Sequence, residues 1–340
     1  LFNDKLTFNG NANLVNNMPW KARLEIRSGR YDFLTGAFLK DMPDDLLVQL
    51  KGYADLSGDK DHVTATAAIS QLNITLYGYS FSNDSDIRLD LFDRRITFTS
   101  LNMRSGSTSF SVSGSIGFAR GYDLTVEGSS ALSPLKGFSN KIAVIRGDSR
   151  FVFAITGGWD SPKINGGLDI KNGQFGLKDI PHRLSSLSGS VYFDEEKIVI
   201  QRLSGKSGGG DVDITGVAYL QKFRLKRFFV DLVLRDISIP VSSGFDLNFE
   251  GNFLLKGTPD SRIISGNMKL NRASYRQRVE WKSWLLMAKS VEKPRGEAGA
   301  FDNTALNIRM HGADNITVDN NVARASLKMD LLLRGTVGSP

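Results

Sequence analysis

Apolar and polar residues alternate along most of this chain. Phe110, Val112, Ile116 and Phe118 lie two or four positions apart, with Ser111, Ser113, Ser115 and Gly117 between them. Val212, Ile214, Ala218 and Leu220 repeat the pattern against Asp211, Asp213 and Thr215. Phe228, Val230, Leu232 and Leu234 do so again, and Phe245, Leu247, Phe249, Phe253 and Leu255 make a longer ladder. Leu327, Met329, Leu331 and Leu333 alternate with Lys328, Asp330 and Arg334. Successive side chains of a strand point to opposite faces, so each ladder predicts a strand with one apolar and one polar face. One wet face per strand means antiparallel sheets, because buried parallel strands read as continuous apolar runs.

Turn residues punctuate the ladders. Asn9-Gly10, Ser57-Gly58-Asp59, Gly157-Gly158, Asn172-Gly173 and Gly208-Gly209-Gly210 each predict a reversal. Two stretches break the strand period. Trp281, Trp284, Leu285 and Ala288 fall at helical spacing and predict a short helix near 280–290, ended by Pro294 and Gly296. A second, weaker helical pattern covers 44–50, and 295–303 reads as a loop.

The chain also repeats itself. Phe153, Gly157, Asp160, Ser161, Ile164 and Gly166 return 100 residues later as Phe253, Gly257, Asp260, Ser261, Ile264 and Gly266. A shift of 102 brings Ile96, Leu101, Ser105, Gly106 and Gly114 onto Ile198, Leu203, Ser207, Gly208 and Gly216. The same turn opens a third time at Gly335 and runs to Ser339-Pro340. A repeat of that length fits an array of β-sandwiches or a continuous sheet in which each copy pairs with the next. No polar linker separates the copies through 190–255, which favours one continuous repetitive β unit over 1–340, with copies at roughly 50–150, 151–250 and 251–340.

Composition narrows the chemistry. Of 340 residues, 41% are hydrophobic and 23% charged, enough to fold. Cys is absent, which removes disulfides and thiolate metal sites; His62, His182 and His311 are the three histidines, too few for a His-rich centre. No 18-residue apolar run exists to make a membrane-spanning helix. The chain opens on Leu1 without a signal-peptide pattern and stops inside a patterned segment, so we read it as a piece of something longer.

Catalytic strings fail on context. Gly205-Lys206-Ser207-Gly208-Gly209 matches the nucleophile-elbow string, but that motif needs a helix after it and a strand pattern follows. The same Lys has no phosphate-loop glycine ahead of it, since Ile200 stands there. Asp194, Glu195 and Glu196 read as a hairpin tip. Asp314, Asn315, Asp319, Asn320 and Asn321 lack calcium-loop spacing and read as turn residues. No metal, cofactor or enzyme activity is expected. The net charge of +7 has two local concentrations, Arg272–Lys282, with Arg276, Arg278 and Lys282, and Gln221–Arg227, where Lys222, Arg224 and Lys226 alternate with Phe223 and Leu225. A solvated strand face, lipid headgroups and nucleic acid are the three readings of that stretch; so small a net charge argues against nucleic acid as a partner.

Over 190–340 the chain resembles the TamB family, within the wider AsmA-like or bridge-like lipid transfer proteins. The likeness is carried by Gly208-Gly209-Gly210 before Ile214-Thr215-Gly216, by Asp314-Asn315-Ile316-Thr317-Val318-Asp319-Asn320-Asn321, and by Leu331-Leu332-Leu333-Arg334-Gly335-Thr336 leading to Pro340. It implies an all-β fold: an elongated antiparallel sheet curled into an open U-shaped groove, the β-taco, with an apolar interior. It implies a periplasmic protein anchored in the inner membrane by a segment outside this chain. A TamA-type outer-membrane barrel is the implied partner, and phospholipid passage or outer-membrane protein assembly the implied job. On that reading Phe110, Val112, Ile116, Val212, Ile214, Phe228, Val230, Leu232, Leu247, Phe249, Phe253, Leu327, Met329 and Leu331 line the groove. Lys222, Arg224 and Lys226 attend headgroups. The alternative is a structural or adhesive array of sandwiches in which these same faces pack into a closed core.

Overall fold

Alternation at this strength leaves the backbone one economical choice, and the computed structural model makes it. The structure describes residues 5–13, 17–31, 45–76, 78–138, 142–159, 161–178, 182–221, 224–242, 245–276 and 302–339. Among these, 19 strands form one sheet, and the helical content is a single 3₁₀ turn at Ser133–Phe138. No helix among the described residues is long and apolar enough to cross a membrane.

In chain order the strands are β1 (Leu6–Ala12), β2 (Trp20–Arg30), β3 (Leu47–Gly58), β4 (Val63–Leu76), β5 (Tyr79–Asn83), β6 (Ile87–Phe92), β7 (Arg95–Ser105), β8 (Thr108–Gly117), β9 (Gly121–Ala131) and β10 (Ile142–Gly157). They continue as β11 (Lys163–Leu177), β12 (Leu184–Asp194), β13 (Lys197–Ser207), β14 (Gly210–Gln221), β15 (Arg224–Ser242), β16 (Phe245–Gly257), β17 (Arg262–Tyr275), β18 (Ala305–Asp319) and β19 (Arg324–Thr336). Contacts divide the chain into two units. The first is Leu1–Gly137 with Asp148–Leu168 and Phe193–Glu195; the second is Phe138–Gly147, Asp169–Tyr192 and Glu196–Pro340.

The first unit is a meander. β1 pairs with β2, β2 with β3 and β3 with β4, all antiparallel. β4 pairs with both β5 and β6, and the run resumes through β7, β8 and β9 to β10. Cross-strand partners share a face, so apolar rows run across it. Leu101, Val112, Val126 and Phe153 form one row, and Met103, Phe110, Gly128 and Phe151 the next. Phe81 meets Phe110 edge-on, with ring centroids 5.7 Å apart. On the polar face, Arg23 clasps Asp55 with two bonds of 2.7 Å.

The second unit continues antiparallel from β13 to β17. Its β17–β18 pair is parallel, which corrects the wholly antiparallel expectation. A parallel pair cannot close with a hairpin turn and needs its strands well separated along the chain; β17 ends at Tyr275 and β18 begins at Ala305. The expected helix near 280–290 and most of the 295–303 loop lie outside the described residues.

Three local expectations are overturned. Leu47 to Leu50 begin β3 instead of forming the helix read over 44–50: Val48 faces Ile74 and Leu50 faces Leu72, and this pairing outweighs a weak helical period. Asn9-Gly10 sits inside β1, where Gly10 pairs with Ala22. Asn172-Gly173 sits inside β11, and Asn172 takes φ +51°, an irregularity within the strand rather than a hairpin. Other reversals fall where read, at Gly58 to Val63, Gly157-Gly158, Asp194 to Lys197 and Gly208-Gly209.

The repeated sequence is a repeated hairpin end. Ser161 N–H donates to the Gly158 carbonyl at 3.2 Å, and Thr258 N–H to the Ser261 carbonyl at 2.8 Å. At the third copy Thr336 and Ser339 exchange both bonds, each 3.0 Å. Gly157 and Gly335 open two of these turns at φ +93° and +119°, a region that L side chains enter at a cost.

Candidate functional site

The register of the second unit puts its apolar ladders side by side. Ile214 of β14 faces Leu232 of β15, which faces Phe253 of β16. Phe253 faces Gly266 of β17, then come Ile308 of β18 and Leu333 of β19. A second row runs Val212, Leu234, Gly251, Met268, Met310, Leu331, and a third Ile237, Phe249, Leu270, Gly312, Met329. At the centre Val212, Ile237, Phe249, Phe253, Leu270 and Ile308 are 3–8% exposed, with Ile214, Leu232 and Met329 packed against them. Burial fades toward β19, where Leu327 is 47% and Leu331 54% exposed.

Glycines make room for the rings in these rows. A Cβ on Gly251 would stand 2.8 Å from Cε2 of Phe253, so the Phe253 ring lies over that glycine and fills its place. A side chain at Gly251 would push the ring off the face.

All eleven groove residues named from 212 to 331 fall on this one face. Phe228 and Val230 join it opposite Gly257 and Leu255, Leu247 opposite Ala273, and Leu327 opposite Ile316. Phe228 is half-buried while Phe229 is 38% exposed, which fixes which of the pair belongs to the face. Phe110, Val112 and Ile116 share a face of the first unit instead. Of the basic residues, Lys222 lies outside the described residues. Arg224 and Lys226 are exposed at the start of β15, and Arg227 caps the Tyr219 ring at 4.4 Å.

Sequence reading missed Ile237, Leu270 and Ile308. In β15, pairing steps from Leu234–Gly251 to Ile237–Phe249, and Asp236 takes φ +57° in the bulge. One extra residue reverses parity, so even positions face in up to Leu234 and odd positions from Ile237 onward. A polar pair, Arg235-Asp236, interrupting an apolar alternation was the available signal.

The opposite face is polar and cross-linked by charge. Asp213 accepts hydrogen bonds from Ser204 Oγ (2.5 Å), Arg235 Nη1 (2.8 Å) and Arg202 Nη2 (3.0 Å), joining β13, β14 and β15. Its carboxyl is held down to about 2, first by the Ser204 hydroxyl, then by Arg235, with Arg202 adding to both. Further along, Lys269 meets Glu250 at 2.8 Å and lowers its pKa, and Arg309 meets Asp330 at 3.2 Å. Buried Asn248 donates to Asp236 Oδ1 at 2.8 Å and Ser238 Oγ at 2.9 Å, tying down the bulge.

Because the folded pKa of Asp213 is depressed, its contribution is complete above the unfolded value near ~3.9 and is lost as pH falls through about 2. With the side chain only 13% exposed, that contribution is about 2 kcal/mol. Urea unfolding of wild type and Asp213→Asn is therefore expected to differ most near neutrality and to converge in acid. A difference constant with pH would refute this account.

Among the described residues no group of three metal-ligating side chains gathers. What the arrangement offers is a continuous apolar surface braced from behind by charge ladders. Residues 200–340 match the family model for the TamB C-terminal domain. Over that stretch the chain is similar to the TamB family. No match was found among curated proteins or among solved structures. The TamB-matched stretch contains β14 to β19 entire, and with them nearly all of the apolar face just described.

Proposed function

We propose that the apolar face of β14–β19 carries the acyl chains of phospholipid, as one stretch of a non-enzymatic bridge between inner and outer membranes. The observation that carries this reading is the set of apolar rows that pair strand to strand across six strands, grading from buried at Phe249 and Leu270 to open at Leu327 and Leu331. Each methylene laid on such a face gains about 0.8 kcal/mol. Tails of a dozen or more methylenes are held without any polar contact, and similar neighbouring rows offer similar wells, which suits sliding. Headgroups stay at the strand ends, where Arg224 and Lys226 stand in solvent.

The match to the TamB C-terminal domain supports the setting: a translocation and assembly module in the cell envelope. On this reading the full-length protein is anchored in the inner membrane and works in the periplasm with a TamA-type barrel, supporting outer-membrane protein assembly as well as lipid passage. Neither a cofactor nor nucleic acid is involved. The low exposure of Val212 and Leu270 favours a second reading, a closed structural core.

Photocrosslinking residues placed at Ile214 and Thr215 separate the two. Ile214 lies in the apolar rows, whereas Thr215 is exposed opposite Asp231. Phospholipid attached at 214 and not at 215 is the expected result. A folded protein that yields no lipid adduct at 214 would leave the closed core standing.

A further inference from the structure

Four hairpin tips of the first unit fall along one edge of its sheet, where β3 turns into β4, β6 into β7, β8 into β9 and β10 into β11. Each tip holds one large apolar side chain in solvent. Val63 is 44% exposed, Phe92 69%, Phe118 51% and Trp159 39%. Single exposed apolar residues are ordinary on any surface. One per tip, in order, is a row: neighbouring tips are two strands apart, about 10 Å, so the four span about 30 Å.

The row is built. Phe118 N–H donates to the Arg94 carbonyl at 2.9 Å, joining the second tip to the third. Trp159 Nε1–H donates to the Phe118 carbonyl at 3.1 Å, joining the third to the fourth, and its ring meets Tyr122 edge-on at 4.9 Å. Gly121, at φ +85°, allows this approach, because a Cβ there would stand 2.7 Å from the Cα of Gly158. At the second and third tips Arg94, Arg95 and Arg120 are exposed beside Phe92 and Phe118, against one carboxylate, Asp93; the first tip carries Asp59 and Asp61 with Lys60. At the other ends Gly106-Ser107 joins β7 to β8 and Asp84-Ser85-Asp86 joins β5 to β6 without a large apolar residue, although the β9–β10 connection exposes Leu135.

We propose that this edge rests on an anionic lipid bilayer, with the rings at headgroup level and the arginines on the phosphates. Aromatic side chains with an apolar body and a polar rim prefer that depth, and each nearby arginine adds attraction to an anionic surface. The excess of arginine over carboxylate at the second and third tips selects an anionic bilayer over a neutral apolar partner. This docking is independent of acyl-chain carriage by the second unit.

The test is flotation of the purified chain with vesicles of phosphatidylcholine and phosphatidylglycerol in equal parts, and with phosphatidylcholine alone. Wild type is expected to float with the anionic vesicles and to be released by salt. Phe92→Ser with Phe118→Ser, and separately Arg94→Glu with Arg120→Glu, are each expected to lower the bound fraction on the order of tenfold. All four side chains are exposed, so both variants are expected to keep the wild-type unfolding midpoint. Val152→Ser, at a 54% exposed position in the body of β10, is expected to float as wild type. Flotation unchanged in both double variants, or absent in wild type, overturns the proposal. So does loss of self-association in the phenylalanine variant with flotation intact, which makes the edge a contact between copies. Loss of flotation in Leu327→Asp with Leu331→Asp alone would place the contact on the acyl-carrying face, overturning this proposal while sparing the other.

Discussion

Phe253→Ala is expected to cost about 3–5 kcal/mol of unfolding free energy, the range for deleting a buried phenylalanine ring. Phe253 is 8% exposed and sits in the row from Ile214 to Leu333. Its ring also covers Gly251, so removing it bares a stretch of strand backbone that has no side chain of its own. Urea unfolding measures the loss, and Leu331→Ala is the comparison. Leu331 lies on the same face but is 54% exposed, and its truncation is expected to cost under about 1 kcal/mol. Equal losses at the two positions would mean that the face is not graded in burial as described.

Leu327→Asp combined with Leu331→Asp is expected to leave folding nearly intact and to reduce transfer of a fluorescent phospholipid between vesicles on the order of tenfold. The choice of position matters. Ile214 and Leu232 belong to the packed cluster, and a carboxylate there would be buried without a partner, at a cost of several kcal/mol. Loss of transfer in Ile214→Asp or Leu232→Asp would then report unfolding as readily as loss of function. At Leu327 and Leu331 the carboxylates remain in water while still interrupting the apolar rows. Undiminished transfer by this folded variant would sink the acyl-carrying face.

Much of the sheet was legible because its signal is local. A period of two over five or more residues, as in 212–220 or 245–255, identifies a strand and its inward face without knowledge of its neighbours. Eleven chosen residues fall on one face of the second unit for that reason. The failures are those of parity and partner. The bulge at Asp236 moved the inward set from Leu234 to Ile237, and no propensity marks where a strand will bulge. Val48 and Leu50 were misread because their β4 partners, Ile74 and Leu72, lie more than twenty residues away. Asn172-Gly173 carries turn chemistry, yet the surrounding strand kept it as an irregularity. Phe118 was counted with the ladder that begins at Phe110, but β8 ends one residue earlier and leaves it at the tip.

The parallel pairing of β17 with β18 also sets a kinetic order. β16 can zip onto β15, and β17 onto β16, outward from their turns, each bond forming between residues already brought close. β18 meets β17 first through Ile263 and Ala305, 42 positions apart. Loop closure over that span must be met before any contact rewards it. The β18–β19 hairpin can therefore assemble by itself and dock late, which makes the last third of the apolar face the part that matures after the rest is in place.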